Sequence, residues 1–114
     1  MLPAVAQGAI GIEARANDAT ARTLTAPLNC APTTTRLSAE RALLARLDGS
    51  CQTPIAALAT LTGDTLSLTA QILSPDGTAA FTDHATGPLA SAEAIGTALA
   101  ETLLATAGEG FLQR

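Results

Sequence analysis

The chain of 114 residues contains no lysine, no tryptophan and no tyrosine, and its only aromatics are Phe81 and Phe111. Each absence closes a class of function or architecture. Nucleic-acid binding rests on clustered Lys and Arg that neutralise phosphates, whereas here six arginines are scattered along a chain of net charge −4. No apolar run reaches the roughly 18 residues needed to cross a bilayer, and the opening MLPAV is too short and uncharged for a secretory signal. A cytoplasmic location is expected, with no nucleic-acid or membrane partner. Two cysteines, Cys30 and Cys51, make no disulfide framework, and their spacing fits no zinc pattern. With so few aromatics, the core is expected to be thin and rich in alanine. The length suits one domain, or one domain with an appendage, and leaves no room for a second full core.

What is present includes a turn around Asn29-Cys30-Ala31-Pro32. In VAQGAIGIEAR a Gln7-Gly8 turn precedes an expected strand carrying Ile10 and Ile12 on one side. Asn17-Asp18 then offers an N-cap for a short helix ended by Pro27. This strand and helix expose apolar side chains that find no partner in the remaining sequence.

From Thr33 onward the pattern changes. Threonines 33 to 35 can cap a second helix that turns Leu37, Leu43, Leu44 and Leu47 to a core and leaves Glu40, Arg41 and Arg46 elsewhere on its surface. Gly49 is placed to end it, which sets Cys51 on the loop that follows. The run Ile55 to Leu61, the strict alternation of TLSLTAQIL and the segment TAAFTDHAT predict a three-stranded antiparallel meander with one wet face. Its second connection is Ser74-Pro75-Asp76-Gly77, where proline fixes one φ and glycine supplies a positive one. Ser91 and Glu93 open a last helix whose Ile95, Leu99 and Leu103 recur at helical spacing, with Gly108 and Gly110 to stop it. The order is α-β-β-β-α: an α+β domain, a three-stranded antiparallel sheet with helices packed on one face, preceded by a strand-helix segment.

Few side chains can carry chemistry. Cys51, on a glycine-led loop, is the leading candidate by position, because exposure and thiolate character make a cysteine reactive; the plainer reading of any free cysteine is a small buried hydrophobe. His84, the only histidine, alternates with Asp83 across a strand, so the two face opposite ways and form no dyad. Asp18, Asp48, Asp64 and Asp76 sit at caps or turns, where aspartate serves the backbone. The QGAIG glycines lack the spacing of a dinucleotide loop.

Two blocks, PAVAQGAIGIEAR at 3–15 and LSAERALLARLDGSCQTPIAALA at 37–59, resemble the porphobilinogen deaminase (hydroxymethylbilane synthase) family. The resemblance implies that the chain is the C-terminal part of a longer, three-domain protein: residues 1–31 a strand-helix segment belonging to the family's first domain, residues 32–114 the C-terminal, cofactor-anchoring domain. It implies that Cys51 carries a dipyrromethane cofactor through a thioether. On this primer the family's transferase joins four porphobilinogen units with loss of ammonia, then releases hydroxymethylbilane for tetrapyrrole and heme biosynthesis. Gln7 and Gly8 match the block that lines the domain junction near the cofactor. The residues that protonate and position porphobilinogen and the pyrrole-chain intermediates lie in the missing N-terminal domains, so the expectation is no catalytic residue and no metal in this stretch, and no turnover by it alone. The family keeps glycine where this chain has Ala6, Ser50 and Ala56; a Cβ at any of these is costly if φ is positive there. Two other classes remain: a noncatalytic α+β interaction module of the same architecture, and a thiol redox domain, which the lack of a CxxC motif or nearby cation disfavours.

Overall fold

The computed structural model describes residues 2–47, 55–74 and 77–107. Helix α1 runs Ala19–Thr25 and leads through a 3-10 turn, Ala26–Leu28, to α2, Ala31–Arg46. Strands β1 (Ile55–Thr62), β2 (Thr65–Leu73) and β3 (Ala80–Pro88) follow, then a 3-10 turn, Leu89–Ser91, and α3, Ala92–Ala107. The α+β order expected from residue 33 onward is the observed one.

The sheet is antiparallel in the order β1-β2-β3. Thr62 pairs with Thr65, so only Gly63 and Asp64 make the first connection, and Gly63 supplies the φ of +59° that a two-residue hairpin needs. Gly77, at φ +75°, closes the second connection by donating its N–H to the Ser74 carbonyl at 2.9 Å. Pro75 and Asp76 of that turn lie outside the described residues. The alternation in β2 buries Leu66, Leu68, Ala70 and Ile72 on one face, where Ile95, Leu99 and Leu103 of α3 and Leu43 of α2 meet them. The opposite face is wet, with His84 exposed on β3 and Gln71 donating to Thr82 Oγ1 at 3.1 Å.

Alanine supplies Ala39, Ala57, Ala59, Ala70, Ala92 and Ala100 of the core, as the scarcity of aromatics foretold, and small residues let elements approach closely. At Gly96 in α3 an added Cβ would collide with the Ala39 carbonyl oxygen of α2 and lie 3.0 Å from Ala42 Cβ. The two helices therefore cross nearly backbone to backbone at this point.

Three expectations need correction. Residues 9–15 form no strand; an extended segment becomes a strand only when a neighbour takes its backbone hydrogen bonds, and none of the described residues pairs with it. Its isoleucines are open, Ile10 at 93% and Ile12 at 57% exposure. Threonines 33 to 35 lie inside α2 instead of capping it: Cys30 is the N-cap, without a side-chain capping bond, and Pro32 stands in the first turn, where its missing N–H costs nothing. Glu40 is buried, not on the surface. The expected cap of α1 does form, Asp18 Oδ1 accepting the Ala21 N–H at 3.0 Å. Gly49, Gly108 and Gly110 fall outside the described residues.

Candidate functional site

The Gln7-Gly8 block is built from two overlapping reverse turns. Gln7 N–H donates to the Ala4 carbonyl and Ala9 N–H to the Ala6 carbonyl, each at 3.2 Å. In each turn the third residue has positive φ: Ala6 at 62° and Gly8 at 82°. A type II turn demands this and selects glycine there. Glycine occupies the second site, but the first is filled by alanine, whose Cβ makes the left-handed region costly by about 1–2 kcal/mol. Of the substitutions weighed above, Ala6 therefore carries strain; Ala56 does not, being in β1 opposite Gln71 without positive φ. Ser50 lies outside the described residues.

The double turn is fixed to the edge of the sheet. β1 has β2 on one side only, so the outward N–H groups at Ala57 and Ala59 need other acceptors. The Pro3 carbonyl takes the first at 3.0 Å, next to an isolated antiparallel bridge between Ala4 and Ala56. Glu40 takes the second: its Oε2 accepts from Ala59 N–H at 3.1 Å, while its Oε1 accepts from Ala6 N–H at 2.8 Å. A buried carboxylate is tolerable when both oxygens are engaged in charge-assisted hydrogen bonds, and here it ties helix, edge strand and strained turn at one point. A cleft of about 250 Å³ lies beside it, lined by Gln7, Gly8, Arg36, Leu37, Glu40 and Leu58 among others.

Cys51 lies outside the described residues, as do its neighbours from 48 to 54. The residues on either side of that stretch are both core residues: Leu47, closing α2, is 4% exposed, and Ile55, opening β1, is 8% exposed. Glu40 and its partner Ala59 lie further along the same two elements, α2 and β1. Pro3, Ala4 and Ala6 bring the double turn that holds Gln7 and Gly8 to β1, the strand that follows Cys51 in sequence.

Cys30 received no role from its sequence position and is the thiol the structure does describe. It is exposed at the N-terminus of α2, with Thr33 Oγ1 donating to its Sγ at 3.2 Å and Arg36 Nη2 donating to Thr33 Oγ1 at 3.2 Å. The thiol's pKa is lowered, first by the Thr33 hydroxyl and then by the Thr33 backbone N–H, against some desolvation; the Arg36 charge adds the smallest contribution. The i+3 and i+6 placement of Thr33 and Arg36 was the available signal. His84 and Asp83 make no dyad: Asp83 Oδ1 accepts the His84 backbone N–H at 2.8 Å, and His84 faces solvent. Among the described residues no group of three or more His, Cys, Asp or Glu could hold a metal, and no helix is long and apolar enough to cross a membrane.

The comparisons agree with this arrangement. Residues 34–105 match the family described as "Porphobilinogen deaminase, C-terminal domain". Over 111 residues the chain is 53% identical to the porphobilinogen deaminase of Paracoccus denitrificans (strain Pd 1222), covering 97% of this chain and 36% of that relative. The chain thus spans about a third of the length of that curated relative. The matched stretch takes in most of α2, the sheet and nearly all of α3, and on that match the chain belongs to the porphobilinogen deaminase C-terminal domain family.

Proposed function

We propose that the chain is the C-terminal part of a cytoplasmic hydroxymethylbilane synthase and that Cys51 anchors its dipyrromethane cofactor. The observation that carries the proposal is that Cys51 stands in sequence between two elements seated in the core, α2 closing at Leu47 and β1 opening at Ile55, in a chain whose family builds tetrapyrroles on a covalent primer. The donor set fits such a group: a thioether needs one sulfur nucleophile and no metal, and thiolate is the side chain suited to forming it. When bound, the cofactor supplies a nucleophilic pyrrole end for chain growth. The chain's own residues would hold that group: Cys51 would tether it, and Gln7 and Gly8 would border the domain junction.

Residues 1–31 belong, in this reading, to the first domain of the parent protein. Ile10, Ile12, Leu24 and Leu28 are exposed at 93, 57, 72 and 68%; an apolar surface of this kind calls for a covering partner, and the two thirds of the parent that precede this stretch would supply it. Porphobilinogen and its oligomers carry carboxylates, which call for convergent arginines; the six arginines here are dispersed. The stretch alone is accordingly inactive, and the parent is the transferase.

The test is a Cys51→Ser substitution in the full-length parent. The expected result is loss of both the covalent adduct and porphobilinogen turnover. Normal turnover by the serine variant would refute the assignment and favour a noncatalytic role for this domain.

A further inference from the structure

Glu40 is 6% exposed, and both its oxygens are committed to backbone N–H groups distant in sequence, Ala6 and Ala59. A carboxylate in that position is expensive to bury, and a fold needing only to complete the β1 edge could use a backbone carbonyl, as Pro3 does for Ala57. The second oxygen holds a turn that strains against its own alanine. We propose that Glu40 is a positioning residue: its carboxylate locks the Gln7-Gly8 turn to β1 at Ala59, so that the domain junction and the strand that follows Cys51 in sequence keep one fixed geometry.

Three features carry this. The clamp reaches the turn at Ala6, one residue before Gln7, at the site of greatest backbone strain. It reaches the sheet at Ala59, in the strand that opens four residues after Cys51. The same two segments meet again through Ala57 and Pro3 and through the Ala4–Ala56 bridge, so the carboxylate completes a row of links instead of acting alone. Asparagine or glutamine could not replace it fully, because an amide offers a single acceptor oxygen where two donors converge.

The functional consequence rests on the proposed reading of the parent as a hydroxymethylbilane synthase; the clamp itself does not. Two measurements keep them apart. In the 114-residue chain, Glu40→Gln is expected to speed amide exchange by about 10-fold or more at Ala6 or Ala59, whichever donor the single amide oxygen no longer serves, while amides of Leu68 and Leu99 change less than about threefold. In the full-length parent, the same variant is expected to retain the Cys51 adduct and KM within about twofold while kcat falls about 10-fold, the scale of a lost positioning contact.

Uniform acceleration of exchange, or local acceleration with unchanged kcat, would overturn the proposal. If Glu40→Gln does not fold, the Glu40→Gln/Ala6→Gly double variant takes its place, since glycine accepts the turn without strain. Failure of both to fold would make Glu40 a residue of core stability only, and the positioning role falls. A wild-type parent without any Cys51 adduct refutes the enzyme reading instead, and leaves the exchange result standing.

Discussion

Glu40 Oε1 accepts the N–H of Ala6 at 2.8 Å while Ala6 holds a φ of 62°. A strained residue and the buried charge that restrains it therefore form one unit, and each can be altered separately.

Replacing Ala6 with glycine removes the Cβ that makes the left-handed conformation costly. Against it stands glycine's larger loss of backbone freedom. The net gain expected is about 1 kcal/mol, a rise of about 4–6 °C in melting temperature for a domain of this size. Thermal unfolding followed by circular dichroism measures it, and an unchanged or lower midpoint would mean that Ala6 is not strained.

Glu40→Leu preserves bulk but leaves the Ala6 and Ala59 N–H groups without an acceptor. Each buried donor so orphaned costs about 1–3 kcal/mol, so urea unfolding should show a loss of about 3 kcal/mol, large against the whole stability of a small domain.

Gly96→Ala and Gly8→Ala add the same methyl group for opposite reasons of harm. At Gly96 the Cβ meets the Ala39 carbonyl and Ala42, so α2 and α3 must separate, at about 1–3 kcal/mol. At Gly8 nothing lies within 4 Å, but φ is +82°, and the cost of about 1 kcal/mol is conformational. Unfolding measurements should rank Gly96→Ala as the worse, and amide exchange should place its damage in the helices and that of Gly8→Ala in residues 4–9.

The Cys30 thiol should titrate below the ordinary thiol value, because the Thr33 hydroxyl and backbone N–H favour the thiolate. A depressed acid pKa means that the thiolate, and its reaction with iodoacetamide, appears at lower pH in the folded chain than in the unfolded one. Measured in a Cys51→Ala background, the pH midpoint of alkylation should rise when Thr33 becomes valine, which removes the hydroxyl donor and keeps the backbone one. The sign for stability follows: the folded state is favoured above the unfolded thiol's pKa, and that contribution fades as pH falls through the folded value.

The domain's architecture could be read from the sequence wherever the signal was periodic. TLSLTAQIL buries its alternate residues, and Ile95, Leu99 and Leu103 line the buried stripe of α3. Signals that depended on distant neighbours could not be read. Glu40 stands in an Ala-Glu-Arg context that resembles any solvated helix face; the donors that bury it lie 34 and 19 positions away. Ile10 and Ile12 have strand character but no ladder to join, since pairing belongs to the neighbour as much as to the segment. The start of α2 moved to Cys30 because Pro32 favours the first turn more strongly than threonine favours the cap. The value of Gln7 and Gly8 came from resemblance; their double turn, and the misfit of Ala6 in it, came only from backbone angles.

The proposed role of Cys51 rests on family resemblance and on its place in sequence between α2 and β1, and mass spectrometry tests it most directly. Peptide mapping of the active full-length parent should find a dipyrrole adduct on the peptide containing Cys51 and none on the peptide containing Cys30. An unmodified Cys51 thiol in fully active enzyme would contradict it.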